Sequence, residues 1–282
     1  VLGFDQVRFR QLEEEHPDFL CFIHPLTAFR IPRDLPDQII SEFADLAFVG
    51  EPDPLSQTVV NWEIIYQTAR QAFKPATADI TVKLKDRKWF GDEPRQLCAA
   101  EIIRNRRSAT DFDRNGSITR NQFLSILDKT LPRMDRAPFD AELIDTFTHL
   151  LLFVHNVADM AAGLYFFCRR DSDFDEIRRV SRSDFLWEPV ETDFPLYLLS
   201  EGNYRRQAMM VSCHQDIAGS GVFSLGMIAK FKDVISAAPY RYRHLYWESG
   251  MIGQVLYLEA EACGARGTGI GCFFDDAVHE IM

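Results

Sequence analysis

The stretch Leu143–Phe167 constrains this chain more than any other segment. It is the most apolar run in the sequence, yet it carries Asp145, His149, His155, Asn156 and Asp159. Polar and ionisable groups at that density are costly in hydrocarbon, so the run does not read as a membrane span. It reads instead as the interior of a water-surrounded domain. Ala141–Leu152 is expected to be a helix, and Val154–Cys168 a strand. Leu196–Ser200 is expected as a second strand, set off by the breaking segment Glu191-Thr192-Asp193-Phe194-Pro195.

Helical patterns surround this run. Asp34–Phe48 places Leu35, Ile39, Ile40, Phe43, Leu46 and Ala47 at helical spacing. Ser56–Phe73 does the same with Val59, Val60, Ile64, Tyr66 and Phe73, and Ser56 suits the N-cap. Lys74–Pro94, rich in charge, reads as a surface connection. A helix through Leu97, Ala100, Ile102 and Ile103 leads into Arg104, Arg106 and Arg107. After a turn at Asp113-Arg114-Asn115-Gly116, a helix starting at Ser117 or Thr119 carries Phe123, Ile126 and Leu127 on one face. Two long helices are expected later, Tyr204–Ile228 and Arg243–Ala262. Gly250, Gly253 and Ala260 of the second would admit another backbone closely, and Gly264 suits its C-cap. Helices flanking a few strands make the fold class α+β. Residues 1–95 read as a mainly helical N-terminal segment and 96–282 as a second domain, with no internal repeat.

The net charge of −11 repels phosphate backbones and anionic lipid, so neither nucleic acid nor a membrane is an expected partner. The six cysteines (Cys21, Cys98, Cys168, Cys213, Cys263 and Cys272) form no CxxC pair. Most of them sit beside apolar residues and read as small buried hydrophobes, in a reducing, cytoplasmic compartment. Because it opens on Val1 and ends at Met282, the chain is expected to be a piece of something longer.

Three segments carry possible chemistry. Asp111, Asp113, Asn115, Gly116, Ser117, Ile118 and Gln122 fall on positions 1, 3, 5, 6, 7, 8 and 12 of an EF-hand loop spanning 111–122. Position 12 needs a bidentate carboxylate and Gln122 offers one neutral oxygen, so a tight turn with a helix cap competes with a calcium site. Arg106-Arg107-Ser108 offers two guanidiniums and a hydroxyl, a set that suits a phosphate, although a solvated charge cluster has the same composition. Gly264, Gly267, Gly269 and Gly271 form a glycine-rich bend after a helix, able to bring backbone N–H groups up to a planar or anionic ligand. It lacks the Gly-Lys-Ser/Thr ending of a P-loop and does not follow a strand as a Rossmann fingerprint does.

Together these residues resemble the FMN-dependent nitroreductase superfamily. The resemblance rests on Arg106-Arg107-Ser108-Ala109-Thr110-Asp111-Phe112-Asp113, then Phe123-Leu124-Ser125-Ile126-Leu127, and near the end Glu248–Ala260, Gly264 and Gly269-Ile270-Gly271-Cys272-Phe273. Phe153–Val157, Gly163-Leu164-Tyr165 and Cys213–Ala218 are similar to the SagB-type dehydrogenase branch. The family's Ser-Asn-Gln-Pro-Trp stretch has Ala137-Pro138-Phe139 as its nearest segment, and the branch's Lys-Tyr pair is absent.

The resemblance covers residues 96–282 and implies a central, mostly antiparallel sheet flanked by helices, with the usual C-terminal strand missing. It implies FMN as cofactor, held by Arg106 and Ser108 with Arg107 and Thr110 nearby, and by Gly269, Ile270, Gly271 and Cys272 beside the flavin. It implies hydride transfer, with NAD(P)H as a possible donor and a small molecule or modified peptide as substrate, in a homodimer or tandem pseudo-dimer. The N-terminal segment would then be the remnant of a first half, and a non-catalytic half serving as dimer or scaffold partner is the alternative. No metal ligand set is expected, and the resemblance implies that the hydride transfer itself needs no acid–base residue of the protein.

Three further candidates have ordinary readings. His155 suits a hydrogen-bonded core histidine. Cys213-His214 resembles a nucleophile–base pair, but neighbours on a helix point apart. The cluster Tyr240–Trp247 suits a pocket wall, a dimer face or a plain helix start.

Overall fold

Every position of strand β1 (Thr148–Val154) and of β2 (Gly163–Phe167) is buried. A strand covered on both faces needs apolar side chains at consecutive positions, and Leu150–Val154 and Leu164–Phe167 supply them. The helix expected over Ala141–Leu152 is therefore a strand from Thr148 on. A continuous apolar run carries no period of its own, so spacing cannot separate helix from strand there. The strand expected over Val154–Cys168 reduces to β2, because residues 155–162 form turns and an isolated bridge.

The computed structural model describes residues 37–44, 46, 58, 60–75, 84, 90, 98–134, 136–140 and 145–282. Ser56, Cys21, Leu97, residues 141–144 and most of the 74–94 connection lie outside them. The chain divides into two units, Val1–Thr68 and Ala69–Met282. In the first, α1 (Asp37–Ala44) falls within the first expected helix. Helix α2 (Glu63–Gln71) falls within the second. In the second unit, β1 and β2 join β3 (Glu188–Glu191), β4 (Phe194–Glu201) and β5 (Phe223–Ala229) in a five-stranded sheet of order β3-β4-β2-β1-β5. All pairings are antiparallel. Pro195 does not break the chain before β4. Glu191 pairs with Phe194 across a two-residue turn with Asp193 at φ 61°, and the Pro195 carbonyl accepts from Cys168 N at 2.8 Å.

Strand alternation sends successive residues to opposite faces. Leu150, Leu152, Val154, Tyr165 and Phe167 meet Phe123, Leu124 and Leu127 of α4 (Arg120–Asp128) and Ile252 of a long helix near the C-terminus. Leu151, Phe153, Leu164 and Phe166 meet Trp187 together with Ala208, Val211 and Ala218 on the other face. The expected α+β arrangement is thus present. The remaining helices are α3 (Ala99–Asn105), α5 (Phe174–Val180), α6 (Arg205–Val211), α7 (Ile217–Ser220), α8 (Lys232–Ala237), α9 (Arg241–Ala262) and α10 (Asp275–Ile281). None of the described helices is long and apolar enough to cross a membrane.

The single helix expected over Tyr204–Ile228 is instead α6, α7 and β5. Cys213 and His214 take φ of 53° and 61°, which a helix cannot continue through. Gly219 then lets α7 close on α6: a Cβ there would lie 2.7 Å from Arg205 O. By contrast, Gly250 and Gly253 of α9 have nothing among the described residues within 4 Å of a Cβ position, so none of those residues' backbones approaches them closely.

Two buried polar clusters lock α9 and α5 to the sheet. Glu248 of α9 accepts from Phe147 N at 2.8 Å and Thr148 N at 3.0 Å, and pairs with Arg169, whose Nε donates to Thr130 O at 2.8 Å. Further along, Arg169 N donates to His149 Nδ1 at 3.2 Å, so the His149 proton sits on Nε2, 3.2 Å from Asp173 Oδ2. Arg170 adds bonds to Asp173 at 2.7 and 3.1 Å.

Burial alone would raise the Asp173 carboxyl, but the bonds from His149 and Arg170 outweigh it and hold the group at about 2, against an ordinary 3.8. A depressed folded-state value stabilises fully above pH 4 and is lost as pH falls toward 2. Asp173→Asn is therefore expected to remove about 2 kcal/mol at neutral pH and to flatten the acid limb of the stability curve. Urea midpoints between pH 2 and 7 measure this, and an unchanged acid limb would refute it.

Candidate functional site

The segment after α3 and the bend after α9 meet. The C-terminus of α9 explains how the bend is aimed. Gly264 takes φ +75°, its N–H bonds to Glu261 O at 3.0 Å, and Ala265 N bonds to Ala260 O at 2.8 Å, a Schellman termination. The chain then turns back along the helix, and Ala109 N donates to Gly267 O at 3.0 Å. Among the described residues nothing lies within 4 Å of a Cβ at Gly264, so Gly264→Ala isolates the backbone cost of a left-handed residue. The expected loss is about 1–2 kcal/mol, read from chemical denaturation, and a neutral result would show that the bend re-forms another way.

The point of contact is Tyr257, one and a half turns before the end of α9. Its phenol oxygen lies 3.1 Å from Ser108 Oγ and accepts from Gly269 N–H at 2.5 Å. The Arg106 guanidinium stands over its ring, 4.9 Å from the centroid. Burial would raise the phenol. Bonds from Ser108, the Gly269 N–H and Thr268, with the Arg106 charge, more than offset this and hold it below the ordinary phenol range. A hydroxyl and a bare backbone N–H therefore converge on one aromatic oxygen, with a guanidinium over its ring.

Not every residue expected at the site is there. Arg106, Ser108 and Gly269 meet at Tyr257. Arg107 turns back instead and donates to Arg104 O at 2.6 Å and Arg106 O at 2.8 Å, filling the open carbonyls at the end of α3. Thr110 and Gly271 are exposed. Ile270 is half-buried against the sheet face that holds Phe166 and Trp187, so its side chain packs rather than faces a ligand. Cys272 is bonded to Cys213, with Cα atoms 5.7 Å apart. That bond takes these two out of the cysteines read as small buried hydrophobes and removes Cys213-His214 as a nucleophile–base pair. Their separation of 59 residues left no local signal. Cys168 does conform, buried in the core, whereas Cys98 is exposed.

The 111–122 loop is a turn followed by a cap. Gly116 N donates to Asp113 O at 3.0 Å and Asn115 N to Asp113 Oδ1 at 2.9 Å. Thr119 and Gln122 then form a reciprocal capping box for α4, which occupies the Gln122 oxygen that position 12 would need. Among the described residues no three His, Cys, Asp or Glu side chains gather where an ion could be held. His155 is a core histidine, 3.2 Å from Ala218 O through Nε2. The Tyr240–Trp247 cluster opens α9, with His244 stacked on Trp247, and His244 lies about 20 Å along the helix from Tyr257. It is a helix start and does not wall the Tyr257 contact.

Tyr257 is the residue that sequence reasoning missed. It sits among Leu256, Leu258 and Ala260 and reads as one more packing residue of α9. Its position seven residues before Gly264, where the glycine-rich bend opens, is the signal that could have found it.

No protein-family model and no curated protein matches the chain. Solved structures do. A protein assigned as a nitroreductase from Anabaena variabilis matches with TM-score 0.50 and 21% identity, over 65% of this chain and 34% of that one. The match thus spans about a third of that protein's length. A protein assigned as a nitroreductase from Ralstonia eutropha matches with TM-score 0.41 and 14% identity, over 68% and 79% of the two chains. The Anabaena likeness, together with the antiparallel five-stranded sheet covered by helices, establishes that the chain has a nitroreductase-like fold.

Proposed function

We propose that the protein is an FMN-dependent oxidoreductase of the nitroreductase type, related to the SagB-type dehydrogenases. The observation that carries this reading is the convergence of Ser108 and Gly269 N–H on the Tyr257 oxygen, with Arg106 over the same ring, from segments 149 residues apart in the case of Ser108 and Tyr257. The polar edge of a flavin ring asks for the same partners: a hydroxyl, a backbone N–H and a nearby positive charge. The donor set therefore fits the group, with the Tyr257 oxygen marking where a ring acceptor would be held. Bound FMN would supply two-electron hydride chemistry.

The chain's own residues bind and orient. Ser108 and the Gly269 N–H fix the polar edge, Arg106 attracts negative charge, and the Schellman end of α9 holds the bend in register. Tyr257 must release both partners for this to happen. Beyond the bend, Phe273, Phe274, Asp275, Asp276, Ala277 and Glu280 line an open groove of about 460 Å³. Its carboxylates favour a neutral or cationic substrate with an aromatic or apolar face.

Purified protein is expected to be yellow and to release a flavin spectrum on denaturation. Arg106→Ala is expected to weaken FMN by about 1.5–3 kcal/mol, about 10- to 150-fold in Kd, measured by fluorescence titration. Unchanged affinity would remove Arg106 from the site. A second reading, a non-catalytic half acting as dimer or scaffold partner, draws on the fact that Tyr257 already satisfies Ser108 and Gly269 within the chain. Colourless protein that FMN does not reconstitute would favour it.

A further inference from the structure

Two arginines lie outside everything assigned so far. Arg114, exposed in the turn before α4, donates its Nε–H to Ser220 Oγ at 3.2 Å. Arg205, half-buried at the start of α6, donates through Nη1 to the carbonyl of Gly219 and, at 3.4 Å, to that of Gly221. The two guanidiniums thus rest on adjacent residues of one three-residue segment, Gly219–Gly221, Arg114 from 106 residues before Ser220 and Arg205 from 14 before Gly219. Burial and then the charge of Arg114 push Arg205 down, as two like charges at close quarters require.

Among the described residues no ion pair joins either arginine to a carboxylate. Asp111 and Asp113, in the same turn, each have an oxygen on a backbone N–H, of Phe112 and Asn115 respectively. His155, beneath the same segment, is held down to about 4 by burial and the Arg205 charge against the pull of the Ala218 carbonyl, so it adds no charge at neutral pH. In a protein of net charge −11, an uncompensated cationic pair is an unusual thing to build.

What each arginine leaves open is its recognition edge. Arg114 keeps both Nη groups, and Arg205 keeps Nε and Nη2. Each edge is a pair of parallel N–H donors matched to two oxygens of an anion. A carboxylate, with one charge, occupies one such fork, whereas a phosphoryl group near neutral pH carries almost two charges and three oxygens and can engage both. The floor is firm: Ser220 is buried and its hydroxyl donates to Asp216 O at 2.9 Å, while Phe112 lies 3.6 Å from the Cβ position of Gly221.

We propose that Arg114 and Arg205 form a clamp for the phosphoryl group of an anionic ligand, seated over Gly219–Gly221. The clamp uses neither Arg106 nor Gly269, so it stands whether or not the protein binds flavin. A flavin nucleotide and any other phosphorylated molecule both carry such a group, and the same chemistry recognises either.

Inorganic phosphate is the probe, titrated into the full chain at constant ionic strength with chloride as the balancing salt. Phosphorus NMR linewidth and thermal midpoint report binding. Saturable binding is expected for the unmodified protein, weakened roughly tenfold or more by Arg114→Gln and by Arg205→Gln and left unchanged by Arg106→Ala. Arg205→Gln also loses two carbonyl contacts, so if it fails to fold, the exposed Arg114→Gln decides. Absence of saturable binding overturns the clamp, as does binding that Arg106→Ala abolishes and Arg114→Gln spares. Comparing FMN with riboflavin then separates the sources. An FMN preference lost in Arg114→Gln supports the clamp as the flavin's own phosphate grip, and a preference retained while phosphate binding is lost supports it as a site for a second phosphorylated ligand.

Discussion

Glu248→Gln is expected to cost about 3–5 kcal/mol of folding stability, on the order of 10 °C in Tm. The reason is what the substitution leaves behind. Arg169 has no exposed side-chain surface, and burial already pulls its guanidinium down from its ordinary value, with Glu248 opposing. An amide can still accept from Phe147 N and Thr148 N, but it cannot neutralise a charge taken out of water. The double variant Arg169→Met with Glu248→Leu is expected to recover part of the loss, because the isolated charge is gone while the two backbone N–H groups stay unpaired. Chemical denaturation of the three proteins measures this. A loss under about 1 kcal/mol for Glu248→Gln would mean that water reaches Arg169.

Phe166→Ala should cost a similar amount, about 3–5 kcal/mol. Phe166 is fully buried in the middle of β2, stacked 5.8 Å from His149 and edge-on 5.7 Å from Trp187. Its removal leaves a cavity between a rigid sheet and helices that cannot collapse far. Phe166→Leu, which keeps most of the volume, should cost about 1 kcal/mol. The same side of the sheet packs Ile270 of the bend and Val278 and Ile281 of α10, so amide exchange in the bend should quicken in the alanine variant. Equal stability of the two variants would refute the account.

The readable parts of this fold were those whose local chemistry agrees with their tertiary role. Helix α9 shows an apolar face and a glycine at its end, and it forms over Arg241–Ala262 with Gly264 as its cap. Helix α4 announces itself through Thr119 and Gln122, the latter being the same residue that weakened the calcium reading. Where tertiary burial sets the structure, the sequence is silent. Thr148–Val154 is buried throughout and apolar without a break from Leu150 on, so neither period shows. Cys213 and His214 hold a left-handed backbone that non-glycine residues rarely adopt, and they divide what reads as one helix.

The site divides the same way. Arg106, Ser108 and Gly269 stand out by composition and do converge. Arg107 and Ile270 stood out equally, yet a helix end and a hydrophobic core claim them. Tyr257 and the Arg114–Arg205 pair were hidden because their meaning lies in neighbours distant along the chain.

The bond between Cys213 and Cys272 turns the intervening polypeptide into a macrocycle. Everything from α7 through β5, α8 and α9 to the bend lies on that loop. A protease that nicks it once leaves both pieces covalently joined, visible as one band without reductant and two with it. Adding dithiothreitol to an assay buffer would open the ring at the very residue that follows Gly271, so preparations made with and without thiols are two different molecules at the place proposed to face the cofactor.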